Sequence, residues 1–380
     1  MHIKSFILFA VLLLFSCVIK AQEQTVYKWN NPAEAAFPVI DGRHWQTGLV
    51  NTYDRFPANA EATVRKEVFG LSHNSAGEYI RFQTNATEIV VRYKVKGGLA
   101  FPHMPSTGVS GVDLYAKDAK SNWHWMSGAY SFGDTITYRF THLAGNWSNA
   151  TFQLYLPLYN SIAWMEIGVA ASNAFQFMPI DKGLPIVMYG TSILQGGCAT
   201  RAGLAFTNML GRNLDMPVIN LGFSGNGRLE KPVIDLVNEI NARLYVLDCM
   251  PNLVDPKLYP EDTIRERLIN AVKAIQMQHQ GIPIILAEHS CSLLGLNMDT
   301  SITGKYKRVS DATAKIYNEL KKEGVTNIYL LTDNEIGFTI ESTVDGTHPN
   351  DIGMKQYANA YEKLIRSILK MQKKGKGLQD

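Results

Sequence analysis

From Pro185 onward, short apolar segments alternate with longer amphipathic ones, and this alternation constrains the fold more than any other feature of the chain. The apolar segments, which we predict to be strands, lie at 185–189, 217–221, 243–248, 283–287 and 326–331. The segments predicted to be helices lie near 201–214, 229–241, 261–279, 304–323 and 352–370. Because the apolar segments show no polar alternation, they predict a parallel sheet that is covered by helices on both faces.

The first half of the chain has a different pattern. Short runs rich in β-branched and aromatic residues, as at 88–95, 135–140 and 151–156, are separated by Gly, Asn, Ser and Pro clusters. All six tryptophans lie at or before Trp164. This pattern is typical of an antiparallel β-sandwich. We therefore predict a jelly-roll-like β-sandwich domain at 25–175, followed by a three-layer α/β/α domain with a parallel sheet at 182–372.

The N-terminus has the features of a bacterial-type secretory signal peptide. His2 and Lys4 precede the apolar run 6–19, and Ile-Lys-Ala at 19–21 is a candidate cleavage site. We predict that residues 1–21 are removed and that the protein is secreted or periplasmic. The segment that ends at Cys17 also resembles a bacterial lipobox, so lipid anchoring at Cys17 remains an alternative.

Charge and hydropathy restrict the classes of partner. Removal of Lys4 and Lys20, with no acidic residue, lowers the formal net charge from +3 to +1. This balance gives no reason to expect nucleic acid as a partner. No run of about 18 apolar residues follows the signal, so no membrane-spanning helix is predicted.

The cysteines that remain after cleavage are Cys198, Cys249 and Cys291. Three cysteines do not make a disulfide framework, and their spacing does not match a zinc site. Burial as small apolar residues is the favoured interpretation. The sequence leaves open whether any two of them pair.

Three polar residues near the ends of predicted strands and helices suggest acyl-transfer chemistry. Ser192 follows the strand at 185–189, and Asp345 and His348 lie three residues apart in a loop before the last helix. A histidine oriented by a carboxylate can act as general base for a serine nucleophile. The pattern predicts a hydrolase with a covalent ester intermediate, and a helix N-cap is the alternative role for Ser192.

Residues after the second and third strands of this half can stabilise an oxyanion. Gly225 lies in a glycine-rich loop, where a backbone N–H can approach a ligand closely. Asn252 can donate a hydrogen bond from its side chain, which gives three donors together with the Ser192 N–H. The glycine spacing at 222–227 is not that of a dinucleotide loop, and no Gly-x-Ser-x-Gly surrounds Ser192.

The chain resembles the SGNH (GDSL-like) hydrolases, whose four sequence blocks match, in order, Gly190-Thr191-Ser192-Ile193, Gly225, Asn252 and Asp345-x-x-His348. Thr191 stands where the family normally has aspartate. The segment Gly111-Val112-Asp113-Leu114-Tyr115 resembles the Gly-x-Asp-Leu-Tyr motif of a two-domain branch, in which a β-sandwich precedes the hydrolase domain.

The resemblance implies a role for each matching position. Ser192 would be the nucleophile, His348 the base and Asp345 the residue that orients His348. The Ser192 N–H, the Gly225 N–H and the Asn252 side chain would form the oxyanion hole. The resemblance also implies that no metal or organic cofactor is needed.

The substrate is less constrained than the reaction. His103 lies in a loop that can reach the second domain, Tyr115 belongs to the β-sandwich motif, and His289 follows the fourth strand, so these three are candidate substrate-binding residues. We predict a serine esterase that removes short acyl groups, acetyl first among them, from a small-molecule or oligosaccharide ester. Two alternatives stay open: a carbohydrate-binding protein with an inactive hydrolase domain, and a lipase or thioesterase.

Overall fold

The computed structural model describes residues 25–371 except 144–146, 148–149, 290–292 and 294. The predicted signal peptide and the alternative lipid anchor at Cys17 therefore lie outside the described residues, as does Cys291. Within the described part, no helix is long and apolar enough to cross a membrane.

The first half of the chain forms two antiparallel sheets. The first sheet has the order β1-β10-β4-β8-β7, and the second has the order β11-β3-β9-β5-β6, with β2 paired to β3. The strands of these sheets are β1 (Tyr27–Asn30), β2 (Ile40–Asp41), β3 (Tyr79–Thr84), β4 (Ile89–Val95), β5 (Asp113–Lys117), β6 (Trp123–Met126), β7 (Ala129–Ser131), β8 (Ile136–Phe140), β9 (Thr151–Tyr155), β10 (Ile162–Ala170) and β11 (Phe175–Phe177). Two short helices, α1 (Lys66–Ser72) and α2 (Ser106–Val109), lie in the connections.

Alternation along the strands builds the core of this sandwich. On β4, the side chains of Ile89, Val91 and Tyr93 are fully buried, and each stands two residues from the next. They share one apolar cluster with Ile80 and Phe82 of β3 in the opposite sheet. Because successive side chains of a strand point to opposite faces, this period places one face of each sheet in the core.

The second half forms one parallel sheet in the order β13-β12-β14-β15-β16. The strands are β12 (Ile186–Gly190), β13 (Val218–Gly222), β14 (Leu244–Asp248), β15 (Ile284–Ala287) and β16 (Ile328–Leu331). The helices are α3 (Ser192–Gln195), α4 (Phe206–Leu214), α5 (Lys231–Asn238), α6 (Glu261–Gln278), α7 (Thr300–Lys322), α8 (Asp333–Ile336) and α9 (Asp351–Ile368).

Helices cover both faces of this sheet. On β12, Val187 and Tyr189 pack into one apolar cluster, whereas Ile186 and Met188 pack into a second cluster on the other face. Every residue of β12 is buried, which explains why its sequence shows no polar alternation. The chain leaves β12 for β13 on one side and places β14 on the other, so the sheet has a topological switch point at the carboxyl end of β12.

The predicted fold class is confirmed: antiparallel sheets precede a parallel sheet with helices. The main helices and strands lie within a few residues of their predicted positions. The helix predicted at 304–323 begins earlier, at Thr300, because the side chain of Asp299 accepts hydrogen bonds from the N–H groups of Ser301 and Ile302. The short helix α3 begins where a helix N-cap was considered for Ser192, whereas the short helix α8 was not predicted, since a single turn carries no apolar periodicity.

Candidate active site

Ser192 lies in a tight turn between β12 and α3. The N-cap of α3 is Thr191, whose hydroxyl accepts a hydrogen bond from the Ile193 N–H at 3.4 Å. Ser192 is the first residue of the helix, so the alternative role of N-cap belongs to its neighbour. The capping threonine stands where the family normally has aspartate, and both residue types favour this position. The Ser192 hydroxyl is thereby left for other contacts.

The three residues predicted for the catalytic triad lie in contact. The Ser192 hydroxyl is 2.8 Å from Nε2 of His348, and Nδ1 of His348 is 2.7 Å from Oδ2 of Asp345. These distances lie in the range of a nucleophile–base and a base–carboxylate hydrogen bond. Ser192 is 7% exposed, so its hydroxyl lies at the bottom of a cleft and not on the open surface.

The Asp345 carboxylate receives several hydrogen bonds. Its Oδ1 accepts from the N–H groups of Thr347 and His348 at 3.0 and 2.8 Å, in addition to the contact of Oδ2 with the His348 ring. Partial burial alone would raise the pKa of Asp345, but the hydrogen bonds from His348 outweigh it and hold the pKa well below its ordinary value. Asp345 is therefore ionised at neutral pH and favours an Nδ1–H tautomer of His348.

The loop that contains Asp345 and His348 is closed by backbone contacts. The Val344 N–H donates to the His348 carbonyl at 2.9 Å, and Thr343 and Pro349 form an isolated β-bridge. Asn350 then caps α9, because its side chain accepts from the N–H groups of Ile352 and Gly353. The tight Asp-x-x-His loop before the last helix is therefore held at both of its ends.

The predicted oxyanion donors surround the serine turn. The Gly227 N–H donates to Oδ1 of Asn252 at 3.0 Å, which orients the Asn252 amide and leaves its Nδ2 group to face elsewhere. None of the described residues accepts a hydrogen bond from the Asn252 Nδ2 or from the N–H groups of Ser192 and Gly225. Three donors without a protein acceptor are what an oxyanion requires.

Two glycines allow the glycine-rich loop after β13 to lie close to the turn that contains Ser192. A Cβ on Gly222 would lie 2.3 Å from the backbone nitrogen of Gln195, and a Cβ on Gly227 would lie 2.1 Å from the carbonyl oxygen of Gly190. Any side chain at either position would therefore push the glycine-rich loop away from the serine.

A cleft of about 660 Å³ opens above the Ser192 hydroxyl. Both halves of the chain line it, and its lining residues are Glu67, Leu71, Asn74, Phe101, His103, Met104, Tyr159, Ser192, Gly197, Ser224, Asn226 and His348. The structure places His103, a candidate substrate-binding residue, in the lining of this cleft. The His103 ring lies 5.9 Å from the rings of both His348 and Phe101, measured between centroids.

Tyr115 does not line the cleft, which corrects the role predicted for it. Its ring is buried between the two halves, where the guanidinium of Arg212 lies 4.0 Å from the ring centroid. Its hydroxyl accepts a hydrogen bond from Arg201 at 2.7 Å. Asp113 of the same motif accepts from Arg201 and from the Gly203 N–H, so this motif joins the sandwich to the α/β half.

His289 also lies outside the lining of the cleft. It is 1% exposed, and its ring packs edge-on against Tyr306 at 4.2 Å. Neither ring nitrogen has a hydrogen-bond partner among the described residues. Burial, with a smaller contribution from the charge of His348, lowers the pKa of His289 to about 3, so its imidazole is neutral at physiological pH.

Several cleft residues carry no sequence signal. Leu71, Asn74, Phe101 and Met104 come from loops and a short helix of the first half, and no local pattern marks them. Tyr159 lies in the cleft as well, where its hydroxyl donates to the Ser192 carbonyl at 2.8 Å. These residues can be identified as cleft residues only from the folded structure, because the fold of the sandwich brings them to the serine.

The described residues contain no cluster of metal ligands and no disulfide. Among the described residues, no group of three or more His, Cys, Asp or Glu side chains is placed to hold a metal ion. Cys198 and Cys249 are buried free thiols. Burial, together with the nearby charge of Asp345, raises the pKa of Cys198 to about 12.

Two family profiles match the two halves of the chain. Residues 183–366 match the sequence profile of the GDSL-like lipase/acylhydrolase family, and residues 27–175 match that of the N-terminal domain of SGNH-hydrolase-type esterases. A crystal structure from Bacteroides ovatus, described as a GDSL-like lipase, is 30% identical, with a TM-score of 0.81. The comparison covers 92% of this chain and 100% of that one.

The chain belongs to the GDSL-like (SGNH) lipase/acylhydrolase family. The prediction of this family, and with it of an esterase-type enzyme, is confirmed.

More distant structures share the fold of this GDSL-like hydrolase. A salicylyl-acyltransferase from a tetracycline biosynthetic pathway is 18% identical, with a TM-score of 0.67 over 91% of this chain and 99% of that one. An acetyl xylan esterase from Butyrivibrio proteoclasticus is 10% identical, with a TM-score of 0.51 over 91% of this chain and 100% of that one. Among curated proteins, none matches the chain significantly.

Proposed function

We propose that this GDSL-like hydrolase is a secreted serine esterase that removes short acyl groups, acetyl first among them, from carbohydrate esters. The observation that carries the proposal is the contact of the Ser192 hydroxyl with Nε2 of His348 at 2.8 Å, at the bottom of a cleft that both halves of the chain line. His348 contacts the ionised Asp345 through its other ring nitrogen.

In the proposed mechanism, the Ser192 oxygen attacks the carbonyl carbon of the ester while His348 accepts the hydroxyl proton. The tetrahedral oxyanion receives hydrogen bonds from the Ser192 and Gly225 N–H groups and from Nδ2 of Asn252. His348 then donates its proton to the departing alcohol, which leaves an acyl-Ser192 ester. A water molecule, deprotonated by His348, hydrolyses that ester and regenerates the serine. Asp345 stabilises the imidazolium that forms in both steps.

The carbohydrate substrate is supported by the cleft and by analogy. Phe101, His103 and Tyr159 present aromatic rings beside the serine, and such rings provide flat apolar contacts for a sugar face. Fold neighbours that act on carbohydrate, such as the acetyl xylan esterase, add an association and not a physical reason. The predicted signal peptide supports secretion.

Apolar residues that line the same cleft support a second candidate activity. Leu71, Phe101 and Met104 are apolar, and they would also suit a larger apolar acyl group. This candidate is a lipase or thioesterase of the same mechanism.

A series of p-nitrophenyl esters of increasing acyl length tests the proposal, with Ser192→Ala as the matched control. We expect hydrolysis that falls steeply beyond short acyl chains, and a loss of kcat of about 10⁴-fold or more in Ser192→Ala. A long-chain optimum would favour the second candidate. Absence of hydrolysis throughout the series, or near-normal turnover by Ser192→Ala, would contradict the serine esterase.

A further inference from the structure

The side chain of Arg55 crosses from the β-sandwich half to the parallel sheet and is almost completely buried, with 1% exposure. Its guanidinium donates to four backbone carbonyls: Nε to Asn74 at 2.7 Å, Nη2 to Leu71 at 2.8 Å, and Nη1 to Asn220 and Gly222 at 3.0 and 2.8 Å. None of the described carboxylates forms an ion pair with it. Glu78 and Asp54 act on this charge through longer-range attraction, but all of its hydrogen bonds to the described residues go to carbonyl groups. A buried charge is costly unless its donors are satisfied, so the position of these carbonyls is tightly specified.

Two of the four acceptors belong to the end of β13. This strand is an edge of the parallel sheet, and the Asn220 and Gly222 carbonyls are separated by the two-residue period of a strand, so they point to the same side. Arg55 therefore covers the open edge of the sheet at the residues that lead into the glycine-rich loop. The guanidinium also lies 4.8 Å above the ring of Phe223, the next residue along the chain.

The other two acceptors belong to residues of the β-sandwich half that line the cleft above Ser192. Leu71 and Asn74 both line the cleft. One planar guanidinium thus fixes the side of the cleft contributed by the sandwich to β13, the strand that leads into Ser224 and Gly225. A lysine cannot reproduce this arrangement, because an ammonium donates from a single point and not from a planar fork.

Gln195 makes a second link between the same parts. It follows Ser192 by one helical turn and is fully buried. Its Nε2 donates to Oδ1 of Asn74 at 3.1 Å, and its Oε1 accepts from the Ser224 N–H at 3.0 Å. Because Gln195 engages the Ser224 N–H, the neighbouring Gly225 N–H is the one that remains without an acceptor in the described structure.

We propose that Arg55 is a positioning residue that, together with Gln195, sets the oxyanion-hole loop 224–227 against Ser192, so that the β-sandwich half is part of the catalytic apparatus. This inference rests on the proposed function. Loss of Arg55 would let the loop move, and catalysis would fall because an oxyanion donor acts only when it is aligned with the tetrahedral state.

Steady-state kinetics of the full chain on p-nitrophenyl acetate test this role. We expect kcat per active site to fall about 10- to 100-fold in Arg55→Met and less in Arg55→Lys, since removal of one aligned donor entirely costs about 10²–10³. KM and the pH midpoint of kcat should stay unchanged, because Arg55 contacts neither the small substrate nor the triad. Active sites are counted by titration with a fluorophosphonate.

Arg212→Met is the matched control, because Arg212 also packs against the sandwich, on the rings of Tyr115 and Tyr155, but its hydrogen bond to the described residues goes to the Gly203 carbonyl and not to the end of β13 that leads into the loop 224–227. It should lower the melting temperature without changing kcat. Folded Arg55 variants with the kcat of Arg212→Met would overturn the positioning role. If the Arg55 variants do not fold, Gln195→Met decides: a reduced kcat with unchanged KM supports the role, and a normal kcat refutes it. Ser192→Ala separates the two proposals, since activity in that variant contradicts the serine mechanism itself.

Discussion

At the scale of single residues, three side chains of the turn after β12 make different contacts. Thr191 caps α3, Ser192 presents its hydroxyl to His348, and Gln195 holds the Ser224 N–H. Because Thr191 supplies the capping hydrogen bond to the Ile193 N–H, the Ser192 hydroxyl is not needed for capping. Threonine, in the position where the family normally has aspartate, is therefore compatible with an intact turn around the nucleophile.

Asp345→Asn should lower kcat by about 10⁴-fold with little effect on KM, as carboxylate-to-amide changes in other triads do. The depressed pKa of Asp345 means that the wild-type carboxylate is ionised throughout the assay range, where it selects the tautomer of His348 with a free Nε2. An asparagine amide can select the wrong tautomer. The measurement is kcat for p-nitrophenyl acetate between pH 5 and 9. A variant with wild-type kcat near pH 7 would show that Asp345 does not orient the base.

Asn252→Ala should lower kcat by about 10²- to 10³-fold, which is the effect of removing one oxyanion donor. The amide is oriented by the Gly227 N–H, and its Nδ2 meets an acceptor only when the tetrahedral oxyanion forms. KM should therefore change little. An increase in KM with unchanged kcat would instead assign Asn252 to binding of the ground-state ester.

At the scale of helices and strands, the carboxyl ends of β12, β13 and β14 bring the serine turn, the glycine-rich loop and Asn252 to the same end of the sheet. The last helix, α9, contacts one of these strands directly. The Tyr361 hydroxyl of α9 donates to Oδ2 of Asp248 at 2.8 Å, and Asp248 is the final residue of β14. This contact links the helix that follows His348 to the strand that precedes Asn252.

The buried Asp248 carboxyl should make stability depend on pH. Burial raises its pKa from 3.8 to about 6, although the hydrogen bond from Tyr361 opposes the shift. Between these values the native state binds more protons than the unfolded state, so the free energy of unfolding falls as pH rises through this window. Asp248→Asn lacks this titration and should gain about 2 kcal/mol relative to wild type between pH 4 and pH 7.

Urea unfolding of both proteins at several pH values in that window provides the measurement. Asp235→Asn, a change at an exposed ion pair on α5, is the control, and its difference from wild type should stay nearly constant. A pH-independent difference for Asp248→Asn would show that folding does not raise the pKa of Asp248.

At the scale of the whole molecule, the cleft belongs to both halves of the chain. The sandwich contributes Glu67, Leu71, Asn74, Phe101, His103, Met104 and Tyr159, and the α/β half contributes the remaining lining residues. The Gly-x-Asp-Leu-Tyr motif is not part of this cleft, because Asp113 and Tyr115 bind Arg201 at the junction of the halves. The motif therefore joins the two halves, and we propose that the loop around His103 contributes to substrate choice.

His103→Ala and Phe101→Ala should lower kcat/KM on acetylated oligosaccharides by about 3- to 10-fold, since aromatic contacts contribute about 0.5–1.5 kcal/mol. Hydrolysis of p-nitrophenyl acetate should change much less, because a small ester does not reach the wall. Tyr115→Phe is the control and should leave kcat/KM on both substrates unchanged. If the two cleft variants behaved like Tyr115→Phe on the oligosaccharides, the wall would have no part in substrate choice.

The sequence by itself determined the fold class and the residues of the proposed chemistry. Apolar periodicity is a local property, so unpatterned strands at 185–189 and 243–248 predicted a buried parallel sheet. Ser192, Asp345, His348, Gly225 and Asn252 each lie next to a predicted strand or helix end, and their order along the chain matched that of a family. Strand ends converge in a parallel sheet, which is why these positions could be grouped without a structure.

Only the tertiary structure decided how the two halves meet. Arg55, Asn74 and Gln195 make contacts across wide sequence separations, and no periodicity or spacing marks such pairs. The same limit explains the error at Tyr115, whose motif was visible but whose burial against Arg201 and Arg212 was not. Side chains at the junction of two domains are selected by three-dimensional complementarity, and a local sequence pattern carries no information about the surface on the other side.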